Sequence, residues 1–433
     1  MKTVKVAGAI GNEGAISRAP ARASTGIASA PIALTRVAFL DHIRYLMVLL
    51  VVVYHSVAAY TTIAPHFPYH DTSAFAADIT RELFDVFMMP VLFFVAGYFA
   101  LRSLEKKGMS EFLKDKVKRL LIPWALAVLV FIPLLLYSKA DQPPRPFWNY
   151  WLRYLGSFET RISFLPQSQT SQSIYWFLSL LFAVCVVFAL VYTVTRRWRS
   201  SAVLPIVRKA AFGNSKLVTL VLFGMLTSIG YLVSLLLFPD TSWFTLGMFL
   251  QFEPTRLVLL VGYFALGVYA QSHGWFVDGK PLGSLALWET LSVALVAAYL
   301  VACQPLYADP AGTPYLPVGL LLAFAFIRSF LLLSLLIVLV SAGFRYWNRS
   351  TGFDRQLAAT SYNIYLTHIW FVIILQETLM EWTGGPVLAK FAIVLLAGLA
   401  LSFAISRWVI GRFPRAFALA LLGLFIFCLA VRP

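Results

Sequence analysis

The chain has 433 residues, 60% of them hydrophobic and only 12% charged, and a formal net charge of +16. A soluble domain carries about twice that charged fraction, so the composition excludes a soluble globular protein. Apolar runs of about 18 residues or more recur along it, each long enough to cross a hydrocarbon core of roughly 30 Å. A transmembrane barrel would show alternating strands of about 10 residues, a pattern that does not occur. The expected fold is an all-α polytopic transmembrane bundle of about 10 spans, or 11. No separate basic domain or nucleic-acid-binding motif accounts for the charge, so no nucleic-acid partner is expected.

Residues 1–36 are rich in Ala, Gly and Ser, with scattered Arg and Lys and no apolar signal-peptide core. They read as a disordered, positively charged cytoplasmic tail, with the first span acting as the targeting signal. Hydropathy then predicts spans at 43–63, 83–101, 120–137, 174–194, 217–238, 256–271, 286–303, 317–341, 361–380 and 387–411, with a short run at 416–431. Arg and Lys fall in every second connection. The tail has Arg18, Arg22 and Arg36. Lys106 to Arg119 follow the second span, Arg196 to Lys216 the fourth, Arg345 to Arg355 the eighth and Arg407 to Arg415 the tenth. This alternation places the amino terminus in the cytoplasm. The long connection at about 138–173 carries Trp148, Tyr150, Trp151, Tyr154 and Phe158. Such aromatics anchor at a membrane interface or stack on a sugar ring, and interface anchoring is the commoner role. Arg81, Glu82 and Asp85 read as a solvated turn before the second span. Cys185, Cys303 and Cys428 have no CxxC spacing, so neither a disulfide framework nor a metal site is expected.

Ionisable groups inside apolar spans are costly and mark functional sites by default. The first span, "LDHIRYLMVLLVVVYHS" from Leu40 to Ser56, carries Arg44 and His55. On a helix, eleven residues return to within about 20° of the same face and rise about 16 Å. Arg44 is thus expected near the cytoplasmic boundary and His55 near mid-membrane, both looking one way. Taken singly, Arg44 reads equally as a snorkelling anchor and His55 as a packed core histidine. Asp41 lies one turn before Arg44 and can pair with it. In "SYNIYLTHIWF", Tyr365 and His368 share a helix face; a core histidine is the competing reading of His368. Arg328 in "FIRSF" and Arg119 in "KVKRLLIPW" complete the candidates.

Several blocks in order resemble the acyltransferase-3 family of multi-pass membrane acyltransferases. They are "FLDHIRYLMVLLVVVYHS", "MPVLFFVAGYFALRSL", "FLKDKVKRLLIPW", "SIYWFLSLLF", "GYFALGVYA" and "SYNIYLTHIWF", spanning residues 39–371. The beginning also resembles the glucan biosynthesis protein C branch, linked to succinylation of periplasmic glucans. The resemblance implies a bacterial inner-membrane enzyme with a transmembrane domain over 37–415. It would move an acetyl or succinyl group from cytoplasmic acyl-CoA, a co-substrate rather than a resident cofactor, to a hydroxyl of a carbohydrate or glycolipid. Arg44 and His55 match the family's Arg, ten residues, then His; Arg119 and His368 match recurrent positions. His42 stands where the family often has Gly or Ser.

On that footing His55 is the expected general base, because an imidazole in hydrogen-bond reach can take a hydroxyl proton. Arg44 would hold the phosphate or pantetheine part of CoA, with Arg119 and Asp41 at the same entry. His368, Tyr365 and Arg328 are the expected acceptor contacts. The alternative is a transporter or flippase of a lipid-linked saccharide, which the same buried charges would suit. Paired half-repeats and broken helices would mark it, and the sequence shows neither.

Overall fold

A computed structural model describes residues 38–63, 67, 69–137, 146–158, 161–163, 172–200, 216–240, 242–276, 282–305 and 315–430. The predicted 1–36 tail lies outside them. The helices are α1 (Ala38–Ser56), α2 (Phe75–Lys116), α3 (Ile122–Leu126), α4 (Ile132–Tyr137), α5 (Phe147–Gly156), α6 (Trp176–Ser200), α7 (Lys216–Leu237), α8 (Pro254–Ser272), α9 (Leu285–Ala302), α10 (Val318–Tyr346), α11 (Gly352–Met380), α12 (Val387–Ala404) and α13 (Pro414–Ala430). Among the described residues, eight helical stretches are long and apolar enough to cross a membrane. α13, at 17 residues, is shorter.

One of the eight, Phe75–Tyr137, has 63 residues. Straight, it would run about 95 Å, about three times the hydrocarbon thickness. It breaks at Gly108, whose φ of 75° is open to glycine at no steric cost. Phe84 and Met88 before the break line the same cavity as Phe131 and Leu135 after it. The stretch therefore doubles back, and the predicted spans 83–101 and 120–137 are its two limbs.

The second limb contains two π turns, Val117–Leu121 and Ala127–Phe131, each ending two residues before a proline, Pro123 and Pro133. Proline has no N–H for the carbonyl four residues back, which leaves Arg119 O and Leu129 O without a helical partner. Both are taken up by aromatic donors. The Tyr362 hydroxyl donates to Arg119 O, and Trp151 Nε1 donates to Leu129 O at 3.0 Å. Tyr154 donates to Val128 O at 2.9 Å. The aromatics of the long connection thus include a helix, α5, that is bonded to protein rather than spread along an interface; Trp148 stays exposed.

A departure from the all-α expectation is a three-stranded antiparallel sheet in the order β1 (Arg161–Ser163), β2 (Trp243–Leu246), β3 (Leu250–Phe252). The β2–β3 turn passes through Gly247 at φ 52°.

α1 and α11 run parallel. Tyr45 donates to Asp354 Oδ1 at 2.7 Å, Arg44 Nη2 to Ala358 O at 3.2 Å, and Gln376 Nε2 to His55 O and Ser56 O at 3.2 Å each. Asp354 also closes a capping box with Thr351, which starts α11. α10 packs against α1 in the opposite sense, with Phe344 edge-on to Phe39 and Arg328 near the far end. α2 and α8 touch backbone to backbone: a Cβ on Gly97 would overlap the Phe264 carbonyl, and one on Gly267 the Phe94 carbonyl. Small residues permit such close crossings.

Candidate active site

His55 lies in the last turn of α1, three-quarters of the way along the apolar stretch Ala38–Tyr60 rather than at its middle. The helix ends one residue later, earlier than hydropathy suggested. Arg44 and His55 do share a face, because both contact α11: Arg44 meets Ala358, and His55 meets His368. Val48, on the same face, is buried between them.

The two imidazoles are arranged by backbone carbonyls. Ile364 O and Tyr365 O lie 3.1 Å and 2.9 Å from His368 Nδ1. Carbonyls only accept, so Nδ1 carries the proton and the neutral ring keeps its lone pair on Nε2. Val51 O lies 2.8 Å from His55 Nδ1 and makes the same demand. The His55 Nδ1–H therefore donates to Val51 O and also faces His368 Nε2, 3.3 Å away. In this tautomer the basic nitrogen of His55 is Nε2. His368 is fully buried and stands where the orienting acid of a catalytic triad would stand, supplying a lone pair without a charge.

His55 faces a cavity of about 220 Å³. Its walls come from six parts of the chain: α1 (Val51, Tyr54), α2 (Arg81, Phe84, Asp85, Met88), the returning limb (Phe131, Leu135), Tyr175 and Trp176, Trp243 with Glu253, and α11 (Tyr365, Trp370). Phe67 joins them from the 61–74 connection. That connection is tied down at Asp71, which meets the buried Lys390 ammonium of α12 at 2.6 Å. Burial alone would raise the Asp71 carboxyl; the bond from Lys390 and the Thr72 N–H outweigh it and hold it below its usual value.

Behind the cavity wall sits a buried ionic cluster. Asp85 pairs with Arg256, and with Arg328 at 3.0 Å. Arg256 also meets Asp240 at 3.4 Å and Glu253 at 3.0 Å. Arg328 donates to the Tyr299 hydroxyl at 2.7 Å, which reaches Glu82 at 3.3 Å. The Tyr231 hydroxyl donates to Asp240 at 2.7 Å. Arg81 and Glu82 are each 8% exposed. The expected solvated turn is thus corrected: α2 starts at Phe75, so its first polar turns are helical and covered by α8, α9 and α10.

The other predicted residues fall in three places. Asp41 pairs with Arg44 at 3.2 Å, and the Arg44 side chain is 41% exposed. Arg119 is 72% exposed and pairs with Asp115. Tyr365 lines the cavity with its ring, while its hydroxyl is spent on Ile174 O. Arg328 is 1% exposed and does not line the cavity, so the structure sets it behind the wall rather than at an acceptor contact. His42 is buried and bonds Trp347 O at 2.6 Å and Ser350 Oγ at 3.3 Å. It packs α1 onto the start of α11 and makes no bond to Arg44.

A family model described as an acyltransferase domain, that of acyltransferase-3, matches residues 37–407. The chain belongs to the acyltransferase-3 family. With its apolar helices this makes it a membrane acyltransferase. No curated protein and no solved structure matches it. The match covers every wall of the cavity. Among the cavity and contact residues, sequence reading took Arg81 and Asp85 for a solvated turn and did not single out Tyr54, Gln376, Trp243 or Glu253 as site residues. One signal was legible: Arg81, Asp85 and Met88 recur at helical spacing, and all three line the cavity. The approach of Trp243 and Glu253 depends on long-range packing that no local pattern carries.

Proposed function

We propose that this protein transfers an acetyl or succinyl group from acyl-CoA to a hydroxyl of a carbohydrate or glycolipid bound in the His55 cavity. The observation that supports it is the His55–His368 pair in the wall of an aromatic-lined cavity. Acyl-CoA approaches from the cytoplasmic end, where the half-exposed Arg44 is placed to meet its phosphate or pantetheine oxygens and Arg119 lies among basic residues that attract the nucleotide. His55 is about 16 Å further along the helix, and a pantetheine arm passing between α1 and α11 has to displace Val48. In the cavity a sugar ring lies against Trp176, Trp243 or Tyr175.

The chemistry then follows from the tautomer. The acceptor hydroxyl gives its proton to His55 Nε2 as its oxygen attacks the thioester carbonyl. The resulting imidazolium keeps its Nδ1–H on Val51 O and His368 Nε2. Collapse breaks the C–S bond, and the CoA thiolate takes the proton from Nε2, leaving an ester and a thiol. The amino terminus is cytoplasmic and the cavity opens outward, in the bacterial inner membrane. The resemblance to the glucan biosynthesis branch makes succinylation of a periplasmic glucan the first acceptor to try.

The test is acyl transfer by detergent-purified protein from acetyl-CoA and succinyl-CoA, with product mass as readout. Mass spectrometry of surface glycans with and without the gene names the acceptor. A well-folded His55→Ala protein that still transfers acyl groups at the native rate would sink the proposal.

A further inference from the structure

The cavity contains one cation that, among the described residues, no hydrogen bond or ion pair engages. Arg81 is 8% exposed and lines the cavity. Among the described residues it makes no hydrogen bond or ion pair, and its Nη1 is buried without a partner. A buried cation without an anion or acceptor is costly. Its natural partner at i+4, Asp85, is already taken by Arg256 and Arg328. Glu82 faces Tyr299, and Glu253, also on the cavity, is bonded to Arg256 and reaches Arg81 only through its Coulomb field. What holds the guanidinium is a ring: Arg81 Cζ lies 4.2 Å above the Tyr54 ring, and the same ring is edge-on to His55 at 5.2 Å.

That spacing has a chemical meaning. A hydroxyl oxygen bonded to His55 Nε2 sits about 2.8 Å from it. Once that oxygen attacks a carbonyl, the new oxyanion lies about 2 Å beyond the hydroxyl oxygen, and a donor to it about 2.8 Å beyond that. Arg81 and His55 both contact the Tyr54 ring and both line the cavity, which lets the two share an intermediate of this span. We infer that Arg81 is a catalytic residue: its guanidinium donates hydrogen bonds to the oxyanion of the tetrahedral intermediate formed at His55. This rests on the acyl-transfer reading above and adds an electrostatic component to it. As the hydroxyl oxygen bonds to the carbonyl carbon, the C=O π pair moves onto oxygen. Arg81 neutralises that charge until the pair returns and the C–S bond to CoA breaks. A guanidinium with a free hydrogen-bond donor suits this, because it is preorganised for a charge present only in the transition state. Tyr54 holds it in place without neutralising it.

The experiment uses the full chain in detergent, with acyl transfer to water or acceptor followed at saturating acyl-CoA. Arg81→Gln and Arg81→Lys are expected to lower kcat about 100-fold or more with KM changed little. Added guanidinium ion is expected to restore part of the rate to Arg81→Ala. A second arm does not need turnover. Propylphosphonate, a tetrahedral oxyanion on a short chain, is expected to raise the Tm of the wild type and of His55→Ala but not of Arg81→Gln. Wild-type kcat in Arg81→Gln, or a change confined to KM, would overturn the inference. So would a phosphonate shift equal in wild type and Arg81→Gln, which also settles the matter if an Arg81 variant folds poorly and loses rate for that reason alone. If the wild type transfers from no acyl-CoA while the phosphonate shift still depends on Arg81, the reaction reading fails and Arg81 stands as an anion receptor.

Discussion

The two ends of α1 solve opposite problems. At the Arg44 end a cation is half-exposed, paired locally with Asp41 and steadied by one carbonyl of α11. At the His55 end an imidazole is set by a buried histidine, against a cavity whose walls are drawn from six parts of the chain. One end is open and locally made; the other is enclosed and globally made. On the proposed reading, the difference sorts mutations: changes at the open end are expected to alter the capture of a soluble ligand, and changes at the enclosed end to alter chemistry or folding.

The sharpest way to break the comparison is His55→Ala. Its expected effect is a loss of 10³-fold or more in kcat, about 4 kcal/mol of barrier or more, with Tm in detergent unchanged. Arg328→Met comes next and separates framework from chemistry within the enclosed end. It removes one partner from a buried ionic cluster, so stability is expected to fall by about 3–5 kcal/mol, read by denaturant unfolding in detergent. The KM for acceptor should not move in whatever fraction remains folded. His368→Phe keeps the volume roughly and removes the lone pair facing His55 Nδ1. Its kcat is expected to drop about 10–100-fold, a smaller loss than His55→Ala because Val51 O still orients the imidazole. At the open end, Arg44→Ala is expected to raise the KM for acyl-CoA about tenfold with kcat little changed. That penalty should shrink as salt rises from 0.05 to about 0.5 M, because exposed charges are screened. The smallest effect belongs to Asp71 and Lys390. The Asp71 carboxyl is held below its usual value, so it contributes stability fully at neutral pH. That contribution is lost as pH falls below about 4, through the folded-state value. A Tm–pH profile in detergent should show it in wild type and not in Lys390→Met.

This division also explains how much could be read from the sequence. The spans were legible because hydropathy is local: 286–303 became Leu285–Ala302 and 217–238 became Lys216–Leu237. The stripe from Arg44 to His55 was legible because helical geometry is local too. The meeting of His55 with His368, 313 residues away, was not legible, since nothing in either helix specifies its neighbour. Arg81, Glu82 and Asp85 were misread because a charged turn beside an apolar run normally faces water; here α8, α9 and α10 cover it, and Arg256 and Arg328 supply the counter-charge to Asp85. The sheet was missed because its strands are three or four residues long and β1 lies far along the chain from β2 and β3.

The contact of α2 with α8 at Gly97 and Gly267 acts as the pin of a pair of shears. From the pin to Asp85 on one blade and Arg256 on the other is about eleven or twelve residues, or about 17 Å of helix. With the backbones already touching at the pin, the blades have one closed angle, and the ion pair at their tips holds in register only at that angle. A methyl group added at Gly97 has nowhere to go, and the displacement it forces is carried along the blade to the wall that holds Arg81. A mutation far from the cavity can in this way change the shape of the cavity beside His55.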